Sequence, residues 1–584
     1  MVTTLLAALG VGTAQAADPA AADTQHDGAD QRPHDTNGTY RLDSGEYLTL
    51  LRFSGWSAVY ELEGYQVGLI PDGEDRFVAR DDSEESLTVV RDSDGEVAGI
   101  VMDRSGEPEQ FAVRQELFEE ETVTFSAGDT PLAGTLLLPE GKGPHPAVVV
   151  VHGAEFGTRD VYRLLGTHFA RRGVATLIYD KRGTGESAGS FSEATFDDLT
   201  GDALAAVGLL KGHPSIDHDR IGLAGFSQGG WIIAMAAEQS DDVAFLVAVS
   251  SSGLSPGTSA AWLSGNLLSL RGFDERSIET ARRGWGMMYS TLQLVDAGVM
   301  PSMPNVPGFW FHALDPYLDS SDLWSRVHQP VLGIWGETDC QVPARDSVDM
   351  FRDALRAGGN TAYTLRVLPG ASHGLALVDA CAHEMGGMHS HGSRFRYAPG
   401  YFTIPAEWIV AGPDDSLVEL PEQSTASPLD WHQDPSMDVP WYGTFLPQAA
   451  IIALLILVFT TVSLTWAWRA TFGRSRVPEQ NVSTPRLRGG VAVFGLAATL
   501  LGGVALAELL LLGDVHTDFL IGGPFVAGRS PLSTAASVLA WTTVALAAAL
   551  VFSTARKWVR TRTQGVRATI RWQTVTMVPA VLLF

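Results

Sequence analysis

A chain of 584 residues is too long for one ordinary domain, and its formal net charge of −27 argues against nucleic acid as a partner. The acidic excess lies in the body before Ala449, whereas the tail beyond it is apolar and net basic. The first 16 residues, "MVTTLLAALGVGTAQA", read as a signal peptide: a short apolar core ends in Ala14-Gln15-Ala16, although the usual basic start is missing. Residues 17–37 are polar and poor in large apolar side chains, which predicts a disordered linker.

From 38 to 120, short apolar runs alternate with turn residues, among them "YLTLLRF", "SAVYELE", "YQVGLIP" and "EVAGIVMD". Such spacing predicts a small β-rich accessory module, an antiparallel sandwich or barrel without a catalytic constellation. The pattern changes at Glu121. "TVTFSAGDTPLAGTLLLPEG" reads as a hairpin, and "HPAVVVVHG" is a continuous apolar run of the kind found in buried parallel strands. Strands "VATLIYD", "DRIGLAG", "FLVAVSSSG", "VLGIWG" and "TAYTLRVLPG" then alternate with helical segments. This predicts an α/β fold, a doubly wound and mostly parallel sheet over 121–411, with an inserted helical lid at about 254–328.

In "LAGFSQGGW" the strand turns abruptly into a helix, and Ser227 stands at the bend between small neighbours. That is the G-x-S-x-G nucleophile elbow. Four further motifs follow the same sheet edge: "HGA" (152–154), "YDKRGTGES" (179–187), "GETDCQVP" (336–343) and "LPGASHG" (368–374). With these five in this order, the chain over about 121–411 resembles the α/β-hydrolase fold family, and Ser227…Asp339…His373 is the order that family uses.

A serine hydroxyl is a weak nucleophile until a base takes its proton, and His373 can do so near neutral pH. Asp339 would fix the imidazole tautomer and stabilise the imidazolium. The resemblance implies that the backbone N–H groups of Ala154 and Gln228 receive the developing oxyanion. Glu337 and Asp346 are alternatives for the acid, and His152, His383, His389 and His391 for the base; position after the strand favours Asp339 and His373. Asp180 and Arg182 read as organisers of their loop. "HEMGGMHSHG" offers His383, His389, His391 and Glu384 to a metal, but an H-x-H pair is a weak signal. No metal or cofactor is expected.

Residues 412–448 read as a linker and 449–584 as a membrane domain. The runs 449–468, 489–513 and 531–552 are each long enough to cross about 30 Å of hydrocarbon, and 573–584 is a partial fourth. Arg469, Arg474, Arg476, Arg486 and Arg488 follow the first run, whereas the loop 514–530 holds only Arg529. The positive-inside rule then places the acidic body outside the cytoplasm. Glu508, in the second run, reads as a side chain that reaches the interface. Cys340 and Cys381, the only cysteines, flank the acid and base loops, and an oxidising exterior would allow them to pair. The expected protein is a multi-pass, extracytoplasmic serine hydrolase acting on small ester or acyl substrates. A serine peptidase on the same fold and a non-catalytic ligand-binding sensor or transport component remain as alternatives.

Overall fold

The computed structural model describes residues 35–53, 57–81, 83–154, 157–191, 193–270, 275, 278, 318–377, 394–412, 445–472, 491–497, 500 and 531–563. Two compact units divide the chain: Met1–Leu117 with Gly387–Tyr397, and Phe118–Gly386 with Ala398–Phe584.

In the first unit, eight antiparallel strands run β1 (Gly38–Leu42), β2 (Tyr47–Phe53), β3 (Ser57–Leu62), β4 (Tyr65–Pro71), β5 (Arg76–Ala79), β6 (Ser86–Arg91), β7 (Val97–Asp103) and β8 (Gln110–Gln115). Each pairs with the next; β1 also pairs with β8 and β4 with β5, so the sheet closes into a barrel. The two-residue period explains the filling. Leu48 and Leu50, Ala58, Tyr60 and Leu62, Val67 and Leu69 alternate inward and are buried. Between barrel and sandwich, which the sequence left open, the pairing of β4 with β5 decides for the barrel.

The first unit also contains a strand from far along the chain. Phe395–Tyr397 pairs antiparallel with β4, Phe395 opposite Gln66 and Arg396 opposite Tyr65. β5 covers β4 only from Leu69 to Pro71, so the start of β4 has backbone groups left to pair. The strand Phe395–Tyr397, which lies within the stretch 121–411 expected to form the catalytic domain, thus groups with the barrel unit. Arg394 reinforces the join with ion pairs to Asp81 at 2.9 Å and Glu85 at 2.8 Å.

The second unit is built on an eight-stranded sheet. Its strands are β9 (Phe118–Ala127), β10 (Thr130–Pro139), β11 (His145–Val151), β12 (Ala175–Tyr179), β13 (Ile216–Phe226), β14 (Phe245–Val249), β15 (Val331–Gly336) and β16 (Tyr363–Leu368). Their spatial order is β9-β10-β12-β11-β13-β14-β15-β16. β9, β10 and β12 pair antiparallel, and every pair from β12 to β16 is parallel. The parallel strands are buried almost throughout, which accounts for their unbroken apolar runs.

Helices α1 (Arg163–Ala170), α2 (Phe196–Lys211), α3 (Gly229–Gln239), α4 (Pro256–Leu270), α5 (Ser320–Ser325), α6 (Ala344–Ala357) and α7 (Thr403–Ala411) follow in chain order. Helix α2 starts at a capping box, with the Thr195 hydroxyl accepting from the Asp198 N–H and the Asp198 carboxylate accepting from the Thr195 N–H. Of the expected lid, α4 and α5 are helical, and 279–317 lie outside the described residues. Trp324 from α5, Phe351 from α6 and Trp335 from β15 form one fully buried aromatic cluster. The Phe351 ring centroid is 4.2 Å from that of Trp324 and 5.0 Å from that of Trp335.

Two longer helices follow, α8 (Phe445–Phe472) and α9 (Pro531–Thr563). Leu455, Phe459 and Val462 of α8 and Ala547 and Leu550 of α9 share a buried cluster with Val491 and Ala492. Leu457, Leu464, Trp468 and Phe552 are exposed. Among the described residues no helix is long and apolar enough to cross a membrane. The structure therefore gives the expected spans no support: most of 489–513 and all of 573–584 lie outside the described residues, and many side chains of 449–468 and 531–552 do too.

The aromatic cluster yields a stability expectation. Phe351→Ala leaves a cavity between two tryptophans and should cost about 3–5 kcal/mol. A urea titration followed by tryptophan fluorescence measures it, and a shift of under 1 kcal/mol contradicts this packing.

Candidate active site

β13 ends at Phe226, and the chain reverses into α3 through Ser227, whose φ is +49°. A positive φ is strained for a side chain bearing a Cβ, so the surroundings must hold it. The Ser227 N–H donates to the Val249 carbonyl at 2.9 Å, tying the bend to the end of β14. Close approach dictates the neighbours. A Cβ on Gly225 would collide with the Gly229 carbonyl, and one on Gly230 with the Ser251 hydroxyl. Gln228, buried, is the first residue after the bend and has helical backbone angles.

Asp339 follows β15. Its Oδ1 accepts from the N–H groups of Gln341 at 2.8 Å and Val342 at 2.9 Å, which fixes the carboxylate rigidly. Its Oδ2 lies 2.8 Å from His373 Nδ1, and both side chains are buried. A carboxylate offers only lone pairs, so Nδ1 carries the proton and Nε2 is left as the basic nitrogen. The histidine loop has its own anchor. Ser250, directly after β14 and at φ +48°, donates its hydroxyl to the His373 carbonyl at 2.7 Å. Neighbouring residues at the end of β14 thus hold both parts: Val249 the serine bend, and Ser250 the histidine loop. Helix α4 contributes as well, since buried Asn266 donates to the Cys340 carbonyl at 2.7 Å, next to Asp339.

Among the described alternatives, Glu337 and His152 have other partners. Glu337 accepts from the Gly370 N–H at 2.9 Å, and Asp346 sits in the first turn of α6. His152 Nε2 lies 2.6 Å from the Tyr179 carbonyl. His383, His389, His391, Glu384 and Cys381 lie outside the described residues, and among the described residues no cluster suited to a metal occurs. Cys340 is disulfide-bonded. Of the two expected oxyanion donors, Ala154 follows β11 and Gln228 follows Ser227.

The loop after β12 is held by two ion-pair clamps. Arg159 donates Nε to Asp180 Oδ1 at 3.0 Å and Nη2 to Asp180 Oδ2 at 2.6 Å. Arg182 does the same with Asp202, at 3.0 and 2.6 Å. Asp180 and Arg182 therefore organise the loop. Between them stands Lys181, buried, with its ammonium 2.6 Å from the Gly153 carbonyl and 3.1 Å from Gln228 Oε1. Sequence reasoning passed over Lys181, Ser250 and Asn266. For Lys181 a signal existed: lysine is rare in this arginine-rich chain, and this one lies inside a recognised motif.

Burial pushes the Asp180 carboxyl up, but hydrogen bonds from the Arg159 side chain and from the N–H groups of Arg159 and Glu186 outweigh it and hold the group below the ordinary range. Its contribution to stability is therefore complete above the unfolded value of about 4 and is lost as pH falls through the lower folded value. Asp180→Asn should lower the urea midpoint at pH 6, and the gap from wild type should close between about pH 4 and more acid solution. A gap that stays constant down to pH 3 contradicts this.

Comparisons with known proteins give matches over part of the chain. Residues 128–283 match the family model described as X-Pro dipeptidyl-peptidase (S15 family). The chain is 29% identical over 170 residues to the esterase EstD of Thermotoga maritima, covering 27% of this chain and 40% of that one. It is 34% identical over 105 residues to the esterase FrsA of Escherichia fergusonii, covering 18% of this chain and 24% of the relative. The chain thus spans less than half the length of these relatives. Est1E of Butyrivibrio proteoclasticus, solved with ferulic acid bound, aligns at 20% identity with a TM-score of 0.32, over 50% of this chain and 96% of that one. Sheet order, the bend at Ser227 and the sequence matches together support an α/β-hydrolase.

Proposed function

We propose that the protein is a serine hydrolase that cleaves carboxylic ester or related acyl bonds through Ser227, His373 and Asp339. The buried 2.8 Å hydrogen bond between Asp339 and His373 carries this reading, with the strained bend at Ser227 as its companion. His373 Nε2 takes the Ser227 proton as Oγ attacks the acyl carbon, and Asp339 stabilises the imidazolium. The N–H groups of Ala154 and Gln228 donate hydrogen bonds to the oxyanion, the imidazolium protonates the leaving oxygen, and water then repeats the sequence on the acyl-enzyme. The relatives' names support small esters as substrates, and no cofactor enters the chemistry.

The match to the S15 family model favours a second reading, a serine peptidase using the same residues. A panel of p-nitrophenyl esters and aminoacyl-prolyl p-nitroanilides separates the two. In either case Ser227→Ala should abolish turnover and covalent labelling by a fluorophosphonate without changing the melting temperature. Full labelling of that variant contradicts the assignment of the nucleophile, and its absence in wild type favours a ligand-binding sensor instead.

Membrane anchoring and a position outside the cytoplasm belong to this reading and rest on the sequence: the long apolar runs, the arginine-rich loops and the signal-like start. The exposed Leu457, Leu464 and Phe552 are in keeping with an apolar surrounding. A bond between Cys340 and Cys381 belongs to it as well. Reporters fused at Arg476 and Arg562 should read cytoplasmic, and one fused at Asp518 external. The reverse pattern would place the hydrolase inside the cell.

A further inference from the structure

The Asp180-Lys181-Arg182 triplet divides its labour. The outer residues are clamped by Arg159 on one side and by Asp202 and Asp198 on the other. The backbone between them is pinned too: the Lys181 N–H donates to the Gly157 carbonyl at 3.3 Å, and the Thr184 hydroxyl donates to the Lys181 carbonyl at 2.7 Å. From that fixed base the Lys181 side chain runs inward. Its ammonium donates to the Gly153 carbonyl at 2.6 Å and to Gln228 Oε1 at 3.1 Å, and lies 5.1 Å from the centroid of the Phe191 ring. Burying an ammonium is costly, and a purely space-filling position is better served by an apolar side chain.

The two acceptors are informative. The Gly153 carbonyl and the Ala154 N–H are opposite ends of one peptide unit, which is planar and holds them pointing in opposite directions. A cation on the oxygen therefore fixes the direction of the N–H, and by drawing amide electron density toward the oxygen it makes that N–H a stronger donor. The second acceptor is the side chain of Gln228, whose own N–H is the other oxyanion donor in the reading above. One ammonium thus joins the two strand ends that supply the two donors.

We propose that Lys181 is a positioning residue of the oxyanion hole, orienting and polarising the Gly153–Ala154 peptide and holding it in register with Gln228. It touches no reacting atom. The proposal rests on the hydrolase reading, and the test separates the two.

The full-length protein, wild type and Lys181→Met, is assayed with p-nitrophenyl acetate and with a trifluoromethyl ketone, whose adduct with the serine carries an oxyanion. Since losing one oxyanion donor costs on the order of 10²–10³ in rate, misaligning one should lower kcat by about 10–100-fold. KM should stay within about twofold, and the ketone should bind more weakly by the same factor as kcat, because only charge in the hole senses the change. A merely structural role would lower the melting temperature without this parallel loss. Unchanged kcat and unchanged ketone affinity overturn the proposal, as does a rise in KM alone. If Lys181→Met does not yield folded protein, Lys181→Arg decides: a longer, planar cation should lower both quantities together, and wild-type values for both overturn the proposal. If wild type hydrolyses the ester, Ser227→Ala does not and Lys181→Met is unaffected, only this proposal falls. If wild type neither hydrolyses nor is labelled, the hydrolase reading falls and takes this with it.

Discussion

The site depends on a backbone constraint: a serine held at positive φ where a parallel strand gives way to a helix. Such a conformation costs about 1–3 kcal/mol and survives only where its surroundings over-determine it. Here the Ser227 N–H is bound by the neighbouring strand, and glycines admit the carbonyl and hydroxyl that press against the turn. The next strand repeats the device. β14 is also followed by a serine at positive φ, Ser250, whose hydroxyl donates to the His373 carbonyl and secures the histidine loop. Adjacent strand ends thus each spend backbone strain on one part of the same constellation.

The polar machinery around that edge forms a hierarchy. Outermost are the guanidinium–carboxylate clamps, whose geometry is bidentate and whose members are mostly buried. They fix a loop; the loop fixes a lysine; the lysine grips the Gly153 carbonyl and the Gln228 side-chain amide next to Ser227. Removing one partner of a buried clamp leaves a stranded charge, so damage at the outer layer is transmitted inward. On the far side of the sheet edge the same logic is carried by neutral groups, with Asn266 and two backbone N–H groups steadying the acid loop.

Much of this was legible in the sequence where the signal was local. Unbroken apolar runs such as "HPAVVVV" predict buried parallel strands, and the regular spacing of short apolar runs and turn residues before Glu121 predicts a small antiparallel module. The loop after "VLGIWG" points to Asp339 as the acid, and the Asp339 carboxylate lies 2.8 Å from His373 Nδ1. What escaped was non-local. Ser250 and His373 are 123 residues apart, and Asn266 and Cys340 74 apart, so no spacing announces their bonds. Phe395–Tyr397 is too short for any period to mark it as a strand, still less as a strand of a barrel begun near residue 38. Lys181 lay inside a motif read for its neighbours, and only the path of its side chain shows what it grips.

That short strand bears on biogenesis. A ribosome delivers the chain in order, and the Gln66 side chain must wait for Tyr397, 331 residues later, to supply its hydroxyl. Until then the start of β4 presents backbone donors and acceptors to whatever extended peptide comes near, as an uncovered strand edge does. A nascent chain, or one cut short before the histidine loop has been followed by Arg394, keeps that edge open. The added strand therefore covers the start of β4 only in molecules whose sequence through His373 has already been made. The arrangement marks incomplete chains by an adhesive seam, the kind of surface a chaperone or protease can recognise.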